Sequence, residues 1–446
     1  MHDVVVIGAG VAGLRAAMLL KDKGLDVVVV EARDRVGGRT LSADLHGARF
    51  DYGGQWVGPT QTRLLALASQ LGMNTFPTWD TGRKVLDLNG KVLTYSGDIP
   101  RLSVAALAVL QTTIYRLNAM SRAVPGGRPQ DAAKAEEWDR QTVAAWCERN
   151  IPLRDVRDMV GLTVRSILSA EPEEVSFLYF LHYVRNAGSV EPLISTKNGA
   201  QQSRFVEGAQ TISLRLAERL GRERVRLGFP VYDIDDAGTH VTISGPAGQL
   251  QARRAIIAVP PPMAGRIRYA RPLPATRDLL TQRMPMGYTI KCMAFYDRAF
   301  WRASGFSGES ASFSGPLAFT FDNTSADGSV PCLVGFFNGR KGNEWGSQPF
   351  DARKQMFLDT LARYFGPLAY EATDYREHDW NQELWSCGCP VATSGPGTLA
   401  GYGAAMREPV GNLHWAGTET AGEWCGFIEG ALESAERVAA EIPANR

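Results

Sequence analysis

The chain has almost no net charge. Its 48 Lys+Arg against 47 Asp+Glu leave a formal +1 over 446 residues, so there is no electrostatic case for a nucleic-acid partner. Six cysteines (Cys147, Cys292, Cys332, Cys387, Cys389 and Cys425) are too few and too scattered for a disulfide framework at this size. Cys387-Gly388-Cys389 offers too few ligands for structural zinc, and no metal is expected. No apolar run reaches the roughly 20 residues that cross a bilayer, and residues 439–446 carry no membrane tail. A first hydrophobic run two residues after Met1 leaves no room for a signal peptide. These absences point to a cytoplasmic, non-membrane protein of two or three domains.

What the chain does contain is concentrated at its start. The run Asp3-Val4-Val5-Val6-Ile7 leads into Gly8-Ala9-Gly10-Val11-Ala12-Gly13, and a second run from Asp26 to Val30 ends at Glu31. Strand, glycine turn, helix, strand and acid make half of a Rossmann unit and imply an adenine dinucleotide. Gly8 permits the tight turn, Gly10 lets backbone approach the pyrophosphate, and Gly13 lets the helix pack on its strand. The pyrophosphate is expected on free N–H groups at the helix start. Glu31 is expected to accept from a ribose hydroxyl and to repel a 2′-phosphate. Beyond it, Arg33-Asp34-Arg35-Val36-Gly37-Gly38-Arg39 is a basic, glycine-rich stretch that should pass the pyrophosphate, with Arg35 or Arg39 offsetting its charge.

The hydrophobic pattern then changes three times. Ala12 to Lys23 reads as a helix. Between 75 and 200 the strand–helix alternation gives way to helical runs at 104–120, 134–148 and 175–183, broken by a turn at 125–129. Alternation returns with a helix at 211–220 and short strands at 225–227, 231–234, 239–244 and 254–259, the last stopped by Pro260-Pro261-Pro262. Strands such as 288–295 and a helix at 351–365 follow, and a helix at 429–441 closes the chain. The expected fold is α/β: a Rossmann-like dinucleotide domain (1–74, 205–280 and 382–446) interleaved with an α+β substrate domain (75–204 and 281–381) built on a mixed sheet flanked by helices. The substrate should lie in the cleft between them.

Further segments carry a resemblance along nearly the whole chain: Asp51-Tyr52-Gly53-Gly54-Gln55-Trp56-Val57-Gly58, Lys291, Trp380 with the Cys389 region, and Trp415-Ala416-Gly417-Thr418-Glu419-Thr420 followed by Trp424-Cys425-Gly426-Phe427-Ile428-Glu429-Gly430. With the first glycine turn, these resemble the flavin-containing amine oxidases, the family of the monoamine and polyamine oxidases. The resemblance implies FAD rather than NAD, an amine substrate, dioxygen as oxidant and a homodimer. It implies cofactor contacts from Gly8, Gly10, Gly13, Glu31, Arg33, Gly38, Arg39, Gly53, Gly54, Gln55, Trp56, Val225, Cys389, Gly417, Glu419, Gly426 and Phe427. A helix starting near Gly426 would aim its N–H groups at the flavin pyrimidine edge, where charge develops on reduction.

The same resemblance makes Lys291, Trp380 and Phe427 the catalytic candidates, with Lys291 holding a water near flavin N5. It puts Pro390, Ile167, Tyr183, Leu193, Ile194 and Gln201 on the substrate path. Cys389 aligns with a cysteine that some members attach covalently to the flavin and others leave free. Phe427 and Pro390 stand where many monoamine oxidases carry two tyrosines, so one wall of the slot is wider and both phenols are missing. The implied reaction removes the Cα hydrogen as hydride, hydrolyses the imine to an aldehyde or ketone, and reduces dioxygen to hydrogen peroxide. A small, largely apolar primary or secondary amine is expected. The alternatives are a diamine or polyamine oxidase, an L-amino acid oxidase using Arg165 or Arg185 for the carboxylate, and an inactive flavin-binding regulatory protein.

Overall fold

Four consecutive valines, Val27–Val30, have no polar face to offer solvent, and all four are buried. They form an interior parallel strand, where both faces of a sheet are covered. His2–Ile7 lies beside them in parallel register, and Gly248–Ile257 pairs in parallel on its other side. Val225–Arg226 extends one edge and Leu413–Trp415 pairs in parallel with the end of Gly248–Ile257. The first half of that long strand turns instead to Val241–Gly245, antiparallel, followed by Asp233–Asp236 and Arg268–Tyr269. The helices Val11–Asp22, Gln210–Leu220 and Ile428–Glu441 cover one face, sharing a core of Leu14, Ala17, Ile212, Leu216, Leu432 and Val438.

A second sheet of seven strands runs in the order Asp374–Asp379, Thr289–Phe295, Cys332–Asn338, Phe319–Asp322, Phe306–Ser312, Arg83–Leu88 and Lys91–Tyr95. One pairing, Phe306–Ser312 with Arg83–Leu88, is parallel and the others are antiparallel. The chain therefore has the mixed α/β architecture of interleaved sheets and helices expected from its sequence. Helices Val104–Arg122, Val143–Asn150, Arg154–Leu168 and Phe177–Asn186 share a separate core that includes Trp138, Trp146, Phe177 and Phe180. In this computed structural model residues 1–97 and 102–443 are described; the last three residues of the tail 439–446 lie outside them. No helix among the described residues is long and apolar enough to cross a membrane.

Three local expectations need correction. The run 134–148 is not one helix: Ala135–Asp139 ends, and Thr142 caps a new helix at Val143 by accepting from Ala145 N at 3.1 Å. A threonine in that role satisfies an orphan N–H that would otherwise demand continuation. The stretch from 75 is not helical at its start, because Arg83–Leu88 and Lys91–Tyr95 form a hairpin. Its strand pattern is obscured by buried Lys84 and Asp87, whose partners come from afar: Glu309 at 2.9 Å and the Tyr364 hydroxyl at 2.9 Å. The strands expected at 231–234 and 254–259 run at Asp233–Asp236 and Gly248–Ile257.

Candidate active site

Four parallel strands end at one place. Ile7 and Gly8, Val30 and Glu31, Ala258 and Val259, and Gly417 and Thr418 follow the C-terminal ends of their strands and line a channel of about 420 Å³. Ligands of open α/β sheets bind at that edge. Two helices also begin there, Val11–Asp22 behind Gly10 and Ile428–Glu441 behind Phe427, and neither has a side-chain cap. Their first N–H groups are left to a ligand, and the positive end of each helix favours an anion.

The glycines at the inner end have distinct surroundings. Gly8 holds φ at +107°, outside the range of other residues. A Cβ on Gly13 would sit 2.0 Å from the Gly8 carbonyl oxygen, whereas one on Gly10 would meet nothing within 4 Å. Gly13 is thus a packing residue behind the wall, and Gly10 opens onto the channel. Glu31 accepts from Ala9 N at 2.8 Å and Arg33 N at 3.0 Å, which fixes its carboxylate at the rim.

The opposite wall comes from residues about 380 positions away. Arg39 pairs with Glu419 at 2.5 Å and donates to the Pro390 carbonyl at 2.8 Å. Glu419 also accepts from Ala392 N at 3.2 Å, so it locks the wall instead of lining it. Arg33 donates to Glu383 at 3.0 Å and to Ser386 Oγ at 3.1 Å. Arg33, Gly38, Arg39, Gly54, Cys389, Pro390, Gly417, Gly426 and Phe427 all line the channel. Burial raises the Cys389 thiol to about 11.

Gly54 also lines the channel, and its two neighbours are tied to buried candidates. Lys291 is 2 % exposed. Its Nζ donates to the Gly53 carbonyl at 3.0 Å and to Gln55 Oε1 at 2.5 Å. Burial pulls its amine from the ordinary 10.5 down to about 8. The rings of Trp56 and Phe336 stand 5.8 and 5.7 Å from Nζ. Trp380 is buried and donates Nε1 to the Tyr52 carbonyl at 2.9 Å, buttressing the turn before Gly53. Tyr183 is buried with its ring 6.0 Å from that of Phe427, and its hydroxyl donates to the Ile167 carbonyl at 3.4 Å. A Cβ at Gly426 would strike that hydroxyl at 2.4 Å.

This arrangement fits an FAD: uncapped helix starts that favour an anion, a fixed acid on the channel wall, and a buried amine bonded to both neighbours of Gly54. The scan against family models matches residues 11–443 to the "Flavin containing amine oxidoreductase" family. This chain belongs to that family. A Dictyostelium discoideum protein named "Probable flavin-containing monoamine oxidase A" is 40% identical over 444 residues, covering 99% of this chain and 97% of that one. Among solved structures, cyclohexylamine oxidase from Brevibacterium oxydans superposes with a TM-score of 0.95 at 34% identity, covering 99% of this chain and 98% of that one. Putrescine oxidase bound to putrescine gives 0.96 at 33%, covering 100% and 99%. The chain is accordingly a flavoprotein oxidoreductase that uses FAD in amine oxidation.

Some sequence candidates fall away from the channel. Val225 does not line it; the valine pairs with Val29 one strand out, and Phe229 and Val231 take the wall instead. Ile194 is 49% exposed at the end of the short helix Glu191–Ile194. Leu193 is buried, and Gln201 Nε2 donates to its carbonyl at 3.2 Å. Arg35 turns back to the Gly38 carbonyl at 3.1 Å. Residues 258–266 and 384–386, unmarked in the sequence reading, supply much of the outer wall. The only available signal was that loops following parallel strands line such sites, and strand adjacency was not known.

Proposed function

We propose that this chain oxidises a small, largely apolar primary or secondary amine to an imine, which water hydrolyses to an aldehyde or ketone. The observation that carries this reading is Lys291, a buried amine bonded to the two residues that flank Gly54 of the channel wall. FAD held by these residues would supply the hydride acceptor and the route of electrons to dioxygen, with hydrogen peroxide as the product. Gly10 and the two uncapped helix starts bind the pyrophosphate and the flavin pyrimidine edge, and Glu31 binds the ribose. Lys291 Nζ holds a water on the side where dioxygen reacts.

The surroundings of Lys291 are aromatic and closely packed. Trp56 lies 5.1 Å from Phe321 and 6.0 Å from Phe336, and Phe319 lies 4.8 Å from Phe336. Phe427 and Pro390 of the channel wall, with Tyr183 packed on Phe427, add apolar surface. Such walls exclude water and favour the neutral amine, whose lone pair is needed for hydride loss. Likeness to cyclohexylamine oxidase supports an apolar substrate. A carboxylate-bearing substrate is disfavoured, because Arg165 is engaged by Glu171 at 3.3 Å and the Phe313 carbonyl at 3.0 Å, and Arg185 faces solvent. Likeness to putrescine oxidase favours a diamine as second reading. Against it, Glu309, a carboxylate that could hold a distal ammonium, is paired with Lys84.

Anaerobic titration with a panel of amines, diamines and L-amino acids tests the reading through loss of oxidised flavin absorbance. Apolar monoamines are expected to bleach the flavin most effectively. Failure of every amine, or a hundredfold preference for putrescine or an amino acid, would sink it. Attachment is part of the proposal. Cys389 is the only cysteine lining the channel among the described residues. The yellow colour should stay with acid-precipitated protein and be lost in Cys389→Ala. The homodimer belongs to the same proposal, and sedimentation equilibrium at micromolar concentration checks it.

A further inference from the structure

Lys291 has two fixed acceptors, and the second is a side-chain amide that could face either way. Reversing the Gln55 amide would turn its NH₂ toward the lysine. The orientation is set two side chains away by a group that can only donate. Arg204, 7% exposed, donates Nη1 to Asn323 Oδ1 at 2.7 Å and to the Asn323 carbonyl at 3.0 Å, and Nη2 to the Thr324 carbonyl at 2.5 Å. Asn323 Oδ1 must therefore point at the guanidinium. The same oxygen accepts from Gln55 Nε2 at 3.1 Å, so Gln55 Oε1 is left facing Lys291. The other side of the Asn323 amide agrees: its Nδ2 lies 3.6 Å from Met293 Sδ and 3.9 Å from Cys332 Sγ, both weak acceptors. Gln55 and Asn323 are 2% and 1% exposed, so water does not compete for the chain.

We propose that Asn323, locked by Arg204, is a positioning residue for Lys291, acting through Gln55 to keep an acceptor oxygen on the lysine amine. The inference rests on the role given to Lys291 above. An inverted amide would place a donor against an ammonium that is already desolvated, favouring the neutral amine. The charged and titratable groups facing Lys291 are Asp51, Arg204, Cys389 and Cys332. Asp51, which is buried and accepts from Ser42 Oγ and Ala209 N, favours the ammonium, and Arg204 opposes it. Asn323→Leu leaves all four groups present, removes the amide that fixes Gln55, and leaves Arg204 its two backbone acceptors, the carbonyls of residues 323 and 324.

The test is a pH titration of the purified holoenzyme read two ways: the resting flavin absorbance spectrum, and the stopped-flow rate constant for reoxidation of reduced enzyme by dioxygen. Wild type should show a step near pH 8 in both that Lys291→Met abolishes. Asn323→Leu should lower that midpoint by about one unit, a tenfold loss of proton affinity, while its flavin content and anaerobic reduction rate stay within about twofold of wild type. Asn323→Asp retains an oxygen for both donors and adds negative charge, so its midpoint should lie above that of wild type. This variant decides the matter where Asn323→Leu does not retain flavin, an unchanged or lower midpoint then counting against the proposal. The proposal is overturned by an Asn323→Leu midpoint equal to or above wild type, or by the absence of a Lys291-dependent step. A protein without flavin, or one bleached by no amine, would instead overturn the proposed function.

Discussion

At the scale of single residues, Lys291 concentrates the chemistry because burial and function pull against each other there. A desolvated ammonium is costly, and the fall from 10.5 to about 8 corresponds to on the order of 3 kcal/mol. The folded value lies below the unfolded one, so the unfolded chain binds more protons across that window. This contribution to stability therefore rises with pH from about 8 to 10.5. Replacing the lysine removes the dependence. The stability difference between wild type and Lys291→Met should move in favour of wild type between pH 7.5 and ~10, as measured by urea unfolding; a constant difference would contradict the buried titration. In stopped flow at pH 8, Lys291→Met should slow flavin reoxidation on the order of 100-fold and leave reduction by amine within about threefold. Equal slowing of both half-reactions would remove Lys291 from the oxygen step.

At the scale of elements, the strand–turn–helix at 2–22 makes two neighbouring glycines respond differently. Gly13→Ala drives a methyl into the Gly8 carbonyl, and backbone cannot yield as a side-chain tip does. The helix must lift from its strand, with an expected loss of at least ~2 kcal/mol. Gly10→Ala has space and should cost about 1 kcal/mol or less, but its methyl enters the channel and should weaken FAD binding at least ~10-fold. In a Cys389→Ala background, chemical unfolding of the apoproteins and fluorescence titration with FAD separate the two; equal destabilisation would refute the assignment. These elements were legible because their signals are local: valine runs, glycine spacing and one acid. The hairpin at Arg83–Leu88 and Lys91–Tyr95 was not legible, since its buried Lys84 and Asp87 look like surface residues until Glu309 and Tyr364 are known.

At the scale of the whole molecule, the channel is assembled from segments far apart in sequence. Residues 7–12, 30–40, 258–267, 384–390 and 417–431 all reach it. The Arg33–Glu383 and Arg39–Glu419 pairs tie the second of these to the last two. A ligand spanning them should act as a fastener whose contribution grows as RT ln(1 + [L]/Kd), about 4 kcal/mol at a thousandfold excess over Kd. Apoprotein, prepared from Cys389→Ala so that the flavin can be removed, should melt several degrees below its holo form. Added FAD should restore Tm in a concentration-dependent way. An apoprotein that melts at the holo temperature would show that the segments hold together without the cofactor.

The sequence by itself determined the nucleotide half-site, from Gly8 to Glu31, and the family, because those signals depend on neighbours within a turn or on motifs in order. It also marked Lys291, Trp380 and Phe427 as candidates, through resemblance alone. Only the tertiary structure decided that Glu419 locks the wall by pairing with Arg39, and that Val225 lies outside it. It also decided which atoms hold Lys291. The reason is physical: hydrogen bonds and ion pairs in a buried site join residues hundreds of positions apart, and a one-dimensional pattern carries no distance between them.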